Sequence, residues 1–467
     1  MKDFLLQHAA KHPVSFHMPG HKGSAIFRRY GYDDVLENFV DMDVTEIPGA
    51  DNLFQTEGII KDVQDRYAAL YGVKHSYLQI NGTSGGIIAS ILACVPPGKK
   101  LIMARNCHKS VFNALTLGHI EPVYAQPELI EENGILGSVS AKEIERLLKE
   151  NPDGEAVILP SPNYYGICSD ISAIADVVHK AGKILIVDQA HGAHLKFFHK
   201  YGQGEGMASA AEDCGADIVI NSIHKTLASL TQSAVLNLNS DRVNRYFLED
   251  KLQAIESTSP SYVLMTFLDI NAEILEKYGA EVMKNWKENI TYFYEEAKKI
   301  DGLDVMIIKN HMDISKINLD MSSFGIDGAK LEELLMEYGI FSELYTGNIL
   351  MLMTGIGNTR ADMDKTLNAL RDIASKHKIG SKAEVKILKP PVAGKMHPVP
   401  RDKMFIKLAE AEGKVCAASI IPYPPGIPFI CPGEEITPEA VNYIKSLRDV
   451  GEKVIGVNDN GEVLIGR

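Results

Sequence analysis

Between residues 76 and 221 short apolar β-type runs alternate with helical segments, and that alternation leaves few folds open. Strands are expected at 76–80, 100–104, 122–124, 156–159, 184–187 and 218–221, with helices near 85–95, 108–117, 141–150, 171–181 and 208–214. Repeated βαβ units build a mostly parallel sheet covered by helices, and ligands collect at the carboxyl ends of its strands. The chain is therefore expected to carry a large α/β domain with its chemistry at those ends.

Three polar motifs fall there. Asn81, Gly82, Thr83, Ser84, Gly85 and Gly86 lie between the strand HSYLQI and the helix IIASILACV. Free N–H groups at a helix start, two hydroxyls and glycines that permit close approach suit a phosphate. In ILIVDQAHGAH, Asp188 ends a buried strand, where an aspartate either caps the next helix or faces a cation. Lys225, in SIHKTLASLTQS, follows the next strand 37 residues later, with Ser222 and His224 beside it as further phosphate donors. A lysine amine in a desolvated site can bond covalently to a carbonyl cofactor. Phosphate cradle, buried aspartate and strand-end lysine, in that order, match the needs of pyridoxal 5'-phosphate, whose pyridine nitrogen the aspartate keeps protonated. His191 and His194 could suggest zinc, but no third ligand with fitting spacing follows. His108, in RNCHKS, is either a helix N-terminal polar residue or a group that stacks on a ring.

These motifs resemble the ornithine/lysine/arginine decarboxylase family of fold-type-I pyridoxal-phosphate enzymes. The resemblance rests on FHMPGHKG, NGTSGG, RNCHKS, DQAHGAH, SIHKTLASLTQS, STSPSY and YPPGIPFICPGE, and so spans nearly the whole chain. It implies Lys225 as the cofactor lysine, Asp188 as the pyridine-nitrogen partner and His108 on the ring face. It also implies Gly82, Thr83, Ser84, Ser222 and His224 around the phosphate, and His191 on the substrate side. STSPSY, residues 257–262, is implied to approach the site from a neighbouring subunit, making a homodimer the smallest complete assembly. The length is similar to the short Gram-positive-type members, which include arginine decarboxylases. One departure stands out, because Gln189 occupies a position where the family usually carries Glu.

The implied reaction is decarboxylation of arginine, lysine or ornithine, giving carbon dioxide and a di- or polyamine precursor. A decarboxylase gives the α-carboxylate an apolar seat, whereas an aminotransferase grips it with a forked arginine. Arg360, in TGIGNTR, is the residue that keeps an aminotransferase or another lyase in view, its plainer reading being an exposed residue at a helix start. A non-catalytic regulator of similar sequence would have no need of Lys225 and Asp188 together. Asp41, Asp43, Glu46, Asp51 and Glu434 are candidates to meet the substrate's distal cation.

Composition sets the remaining bounds. A net charge of −13 argues against nucleic acid or an anionic membrane as partner. Six scattered cysteines without a C-x-x-C pair fit reduced thiols in the cytoplasm, and no apolar run is long enough to cross a membrane. The expected organisation is an N-terminal arm (1–56), a cofactor-binding α/β domain (57–270), a small α+β domain (271–380) and a C-terminal domain (381–467), the last preceded by the linker-like KHKIGSKAEVKILKPP.

Overall fold

The computed structural model describes residues 1–467 except 131–133, 309–310, 381–390, 424–425 and 450. Most of the expected linker, the 380/381 boundary and two prolines of the YPPGIPF loop lie at or within those exceptions.

Seven strands form the main sheet: β1 (His75–Gln79), β2 (Lys100–Ala104), β3 (Glu121–Ala125), β4 (Gly154–Pro160), β5 (Ile184–Asp188), β6 (Ile218–Asn221) and β7 (Ala234–Leu238). Their spatial order is β1-β7-β6-β5-β4-β2-β3, with β7 antiparallel to both neighbours and the other pairings parallel. In β6 every residue is buried, and in β5 all but the first. An unbroken apolar run is what a strand covered on both faces requires. The sequence patterning placed the six parallel-type segments but not β7, the β-branched stretch beyond Lys225. Of the helix expected over 208–214 only a single 3₁₀ turn forms, Ala211–Cys214.

The amphipathic pattern predicts two helices here, over 261–278 and 282–300, with a break near Gly279. One helix, Tyr262–Ala297, spans the region instead. A Cβ at Gly279 would sit 2.4 Å from the Tyr201 ring, so the glycine marks close packing and not a terminus. Beyond it, Asp304–Val305, Lys316–Asp320, Leu344–Thr346 and Ile349–Met353 form a four-stranded antiparallel sheet covered by Gly328–Glu337 and Arg360–Lys376. A third apolar cluster, including Ile430, Ile444 and Ile465, forms the core of the C-terminal region.

The N-terminal segment, read as an arm, is partly threaded into the core. Val14–Ser15 pairs in parallel with Ile340–Phe341, and Phe16 and Phe27 are buried in the largest cluster. Its glycine-rich turn wedges between two other backbones. Gly20 N–H donates to the His224 carbonyl at 2.7 Å, and Gly357 N–H donates to the Gly20 carbonyl at 3.0 Å. Ile356 N–H in turn reaches the Thr226 carbonyl at 2.9 Å. A Cβ on Gly20 would stand 2.3 Å from the Thr226 carbonyl carbon, and one on Gly357 would stand 2.1 Å from the His21 oxygen. FHMPGHKG and TGIGN are thus small-residue layers that brace the short helix Ile223–Thr226.

Gly20→Ala is expected to lower the unfolding free energy by about 1–3 kcal/mol, because the neighbour it meets is main chain that must move. Urea unfolding measures this, and an unchanged midpoint would contradict the wedge.

Candidate active site

β5 and β6 are adjacent and parallel, with Asp188 in register with Ile220. Asp188 is the last residue of β5, and Lys225 follows β6 on the helix Ile223–Thr226, so both reach the same end of the sheet. Thr83, Asn106, His108, Pro160, Pro162, Asn163, Tyr164, Asp188, Ala190, His191 and Lys225 line one partly open cleft of about 370 Å³, its mouth included. A larger groove, about 1020 Å³, runs along the edge strand β1 and contains none of these residues.

The chemistry of the cleft is set by charge in a desolvated place. Burial pulls the Lys225 ammonium below its ordinary value; Asp188 and Glu343 oppose that shift, and Lys316 adds to it. Burial pushes the Asp188 carboxyl up, opposed by the charge of Lys225 and by the Ala190 N–H, which donates at 3.1 Å. His191 Nε2 lies 2.9 Å from Lys225 Nζ. Burial, then the Lys225 charge, holds this imidazole well below its ordinary value, so it is neutral and Nε2 accepts from the lysine. Its proton is thereby assigned to Nδ1, a buried atom without a partner among the described residues. The Tyr164 ring packs on His191 with centroids 4.8 Å apart.

His108 takes the helix N-terminal place, and its position in the cleft leaves the ring-stacking role as a proposal. It is the N-cap of Lys109–Gly118, its Nδ1 accepting from the Ser110 N–H, and it lines the cleft. Burial and the Lys225 charge lower it to about 4. Thr83 reaches the cleft, while Gly82, Ser84, Ser222 and His224 stand outside its lining. Gly82 begins the helix Gly82–Cys94, whose N-cap Asn81 supplies no side-chain cap, leaving first-turn N–H groups available. The two halves of the expected cradle meet at Gln232 and Ser233. A Cβ on Gly82 would lie 3.7 Å from the Gln232 carbonyl, and His224 Nδ1 donates to the Ser233 carbonyl at 3.0 Å.

Two family models match the chain: Orn/Lys/Arg decarboxylase, major domain, over residues 1–310, and Orn/Lys/Arg decarboxylase, C-terminal domain, over 378–461. A protein named arginine decarboxylase from Bacillus subtilis is 32% identical over 98% of this chain and 95% of its own. The chain belongs to the Orn/Lys/Arg decarboxylase family. The solved constitutive lysine decarboxylase of E. coli aligns with TM-score 0.76 and 20% identity over 97% of this chain and 79% of that one. The L-threonine transaldolase of Pseudomonas fluorescens aligns with TM-score 0.53 and 17% identity over 67% of this chain and 71% of that one, a likeness of fold alone. The architecture is that of the fold-type-I pyridoxal-phosphate enzymes.

Against that family pattern, Gln189 points away from the cleft. Its amide donates to Glu212 and Asn221, both at 2.9 Å, and its oxygen accepts the Ala211 N–H at 2.7 Å. Glu212, buried, also accepts from Asn221 and Asn237. A second carboxylate at 189 would face the first without a cation, so the amide is the fitting partner here. His191 and His194 do not share a ligand site, since His194 bonds Asp313, Ser315 and Thr226. Arg360 is exposed at the start of Arg360–Lys376, donating to Asn289 and stacking 3.8 Å over Tyr292.

The acidic candidates take structural places. Asp51 accepts the N–H groups of Asn52, Glu57, Gly58, Ile60 and Lys61 ahead of the helix Ile59–Tyr71. Glu434 is buried, accepts from Gly394 and Cys431 and lies 3.7 Å from Arg105. Asp41, Asp43 and Glu46 are absent from the cleft lining. Besides Asp188, the charge of Glu343 reaches Lys225, Lys22 and Tyr164, although Glu343 stands outside the cleft lining and accepts the Met18 N–H at 3.0 Å. No motif marks Glu343 in the sequence. Tyr164, just beyond a strand end, carried a positional signal that went unread.

His108 and His224 each fall to about 4 in the folded chain against 6.5 unfolded. The unfolded chain therefore binds more protons between those values, so the stability these residues give is complete above 6.5 and lost as pH falls toward 4. His108→Gln should flatten the pH dependence of urea unfolding in that window by up to about 1.4 kcal/mol per pH unit, and an unaltered slope would contradict a buried neutral His108.

Proposed function

We propose that this chain is a pyridoxal-phosphate-dependent decarboxylase of a basic amino acid, arginine first, releasing carbon dioxide and the corresponding amine. The observation that carries the reading is the apposition of Asp188 and Lys225 in one desolvated cleft.

The residues fit that cofactor. Asp188 is buried and, among the described residues, accepts from the Ala190 N–H alone, so its charge calls for a cation, which a protonated pyridine nitrogen would provide. Neutral His108 can lie flat on a ring without repelling that proton. Thr83, Ser84, Ser222, His224 and the N–H groups at Gly82 supply the phosphate's donors. His224 donates through Nδ1 to Ser233, so its Nε2 becomes a donor only when the ring is protonated, a form the negative phosphate favours. Bound there, the cofactor supplies an electron sink for the bond that breaks.

The chain's own groups do the rest. Lys225 is the amine that holds the aldehyde carbon, and burial keeps a fraction of it deprotonated and nucleophilic. Pro160, Pro162 and Tyr164 give the cleft an apolar wall, and among the described residues no arginine lines it to grip a carboxylate. This favours loss of the carboxylate over amino transfer, and the exposed position of Arg360 supports the same reading. After the carboxylate leaves, Lys225 Nζ, in hydrogen-bond contact with His191 Nε2, can return a proton to the α-carbon. Glu343 is the acid suited to the substrate's distal cation. Arginine ranks first because relatives named arginine decarboxylase are 30–32% identical, while those named lysine decarboxylase are 22% identical.

Residues 257–259 are exposed on their own chain, fitting an element that completes a partner's site, and a homodimer is the assembly proposed. Among the described residues no helix is long and apolar enough to cross a membrane. Six free cysteines, five of them buried, suit the reducing cytoplasm.

Incubation with arginine, lysine and ornithine separately, reading carbon dioxide and amine, should show turnover of one of the three, arginine first, and none of leucine or aspartate. Release from the neutral or acidic amino acids alone would overturn the substrate class. Glu343→Gln should raise KM for the accepted substrate by about tenfold or more, the loss expected for an unpaired buried cation. Arg360→Ala should leave kcat within about twofold, as for a surface substitution; a crippled enzyme would favour the aminotransferase.

A further inference from the structure

Behind the cleft lies a cluster of buried charges that the reaction as described does not use. Lys316, at the start of Lys316–Asp320, and Asp313 are both 0% exposed and 2.6 Å apart. Lys316 Nζ also donates to the His191 carbonyl and to Ser315 Oγ. His194, wholly buried, meets the Asp313 carboxylate at 3.1 Å, Ser315 Oγ at 3.0 Å and Thr226 Oγ1 at 3.2 Å. On a third side, Asp313 N–H donates to the Gly166 carbonyl at 2.7 Å. A Cβ on Gly166 would stand 2.7 Å from the Asp313 carbonyl oxygen and 3.0 Å from Lys316 Cβ.

One cluster from the second sheet therefore grips three segments that build the cleft: the Tyr164–Gly166 loop, the His191–His194 turn and the helix bearing Lys225. Burying a charge pair costs several kcal/mol that its mutual attraction repays only with good geometry, so it is weak evidence for stability. Its use must be sought in what it holds. It holds the main chain of His191, and the His191 side chain holds Lys225.

We propose that Lys316, oriented by Asp313, is a positioning residue for the catalytic amine: it fixes the His191 backbone so that Nε2 is presented to Lys225. The inference rests on the reading of Lys225 as the cofactor lysine. The groups facing the pair come from every element around it. His191 feels Lys225, Lys316, His108 and Asp313 and packs on Tyr164, while Lys225 feels Asp188, Glu343 and Lys316. Lys316 thus acts on Lys225 by two routes, directly as a like charge and indirectly through His191. The double-mutant cycle separates them.

The test follows the pH dependence of trace acetylation of Lys225 in the full-length apoprotein with acetic anhydride, read by peptide mass spectrometry. Lys316→Met removes a like charge, which raises the midpoint, and frees His191, whose accepting Nε2 favours the ammonium, which lowers it; the net rise should cut the Lys225 labelling rate by less than about threefold. In a His191→Gln background only the like-charge route is left, so the same substitution should raise the midpoint by at least about twice as much as in the wild type. Asp313→Asn, which leaves the Lys316 charge uncompensated, should move the midpoint down; it also serves if Lys316→Met does not fold. A core variant of matched stability loss, Ile373→Val, should leave the midpoint in place. A rise as large in the wild type as in the His191→Gln background, a rise in Asp313→Asn or a shift in Ile373→Val would each overturn the proposal. Protection of wild-type Lys225 by pyridoxal phosphate reports separately on the reading beneath it. Without that protection the cofactor assignment fails, whatever the variants do.

Discussion

A carboxylate and an ammonium buried at the ends of two neighbouring parallel strands are tolerable only because each is there. Burial raises Asp188 and lowers Lys225, and each works against the other's shift. Parallel strands deliver them to one end of the sheet without any long loop, since β5 and β6 both stop where the cleft begins. The remaining site groups are constrained by this pair. Burial, reinforced by the Lys225 charge, keeps His108 and His191 neutral, so that His191 accepts from the amine and His108 suits the ring-facing role proposed for it.

The position of Lys225 is fixed from outside the sheet as well. Its helix is four residues long, too short to hold its own place. Gly20 and the 355–357 loop close on its main chain, and the Asp313–Lys316 cluster reaches it through Thr226 and His191. The N-terminal segment and the second sheet therefore have a direct mechanical part in the site. Small-residue contacts of this kind tolerate no added Cβ, which ties the glycines of FHMPGHKG and TGIGN to packing as much as to turn formation.

The parallel core was legible because a strand buried on both faces leaves an unmistakable apolar run, and the strand-end position of Asp188 and Lys225 followed from it. β7 was missed because its run follows a polar turn and pairs antiparallel. The single helix Tyr262–Ala297 was split because a glycine reads as a terminus until Tyr201 is seen against it. In the site, motifs exposed Thr83, His108, Asp188, His191 and Lys225. Glu343 and Lys316 were invisible, since each acts across the fold from a segment whose local pattern is that of an ordinary strand or turn. The acids chosen by proximity to motifs, Asp51 and Glu434, proved to satisfy backbone N–H groups, the commonest use of a carboxylate in a turn. The exchange of an acid for Gln189 became intelligible only once Glu212 was seen beside it.

The central claim, that residues 188 and 225 address the two ends of one pyridoxal ring, is tested most directly by borohydride reduction of the protein incubated with pyridoxal phosphate, followed by peptide mapping. The pyridoxyl mass should appear on Lys225 in the wild type, and in Asp188→Asn the visible absorption of the complex should show an altered pH dependence with labelling still at Lys225. A label carried by another lysine, or a spectrum indifferent to Asp188, would contradict the account.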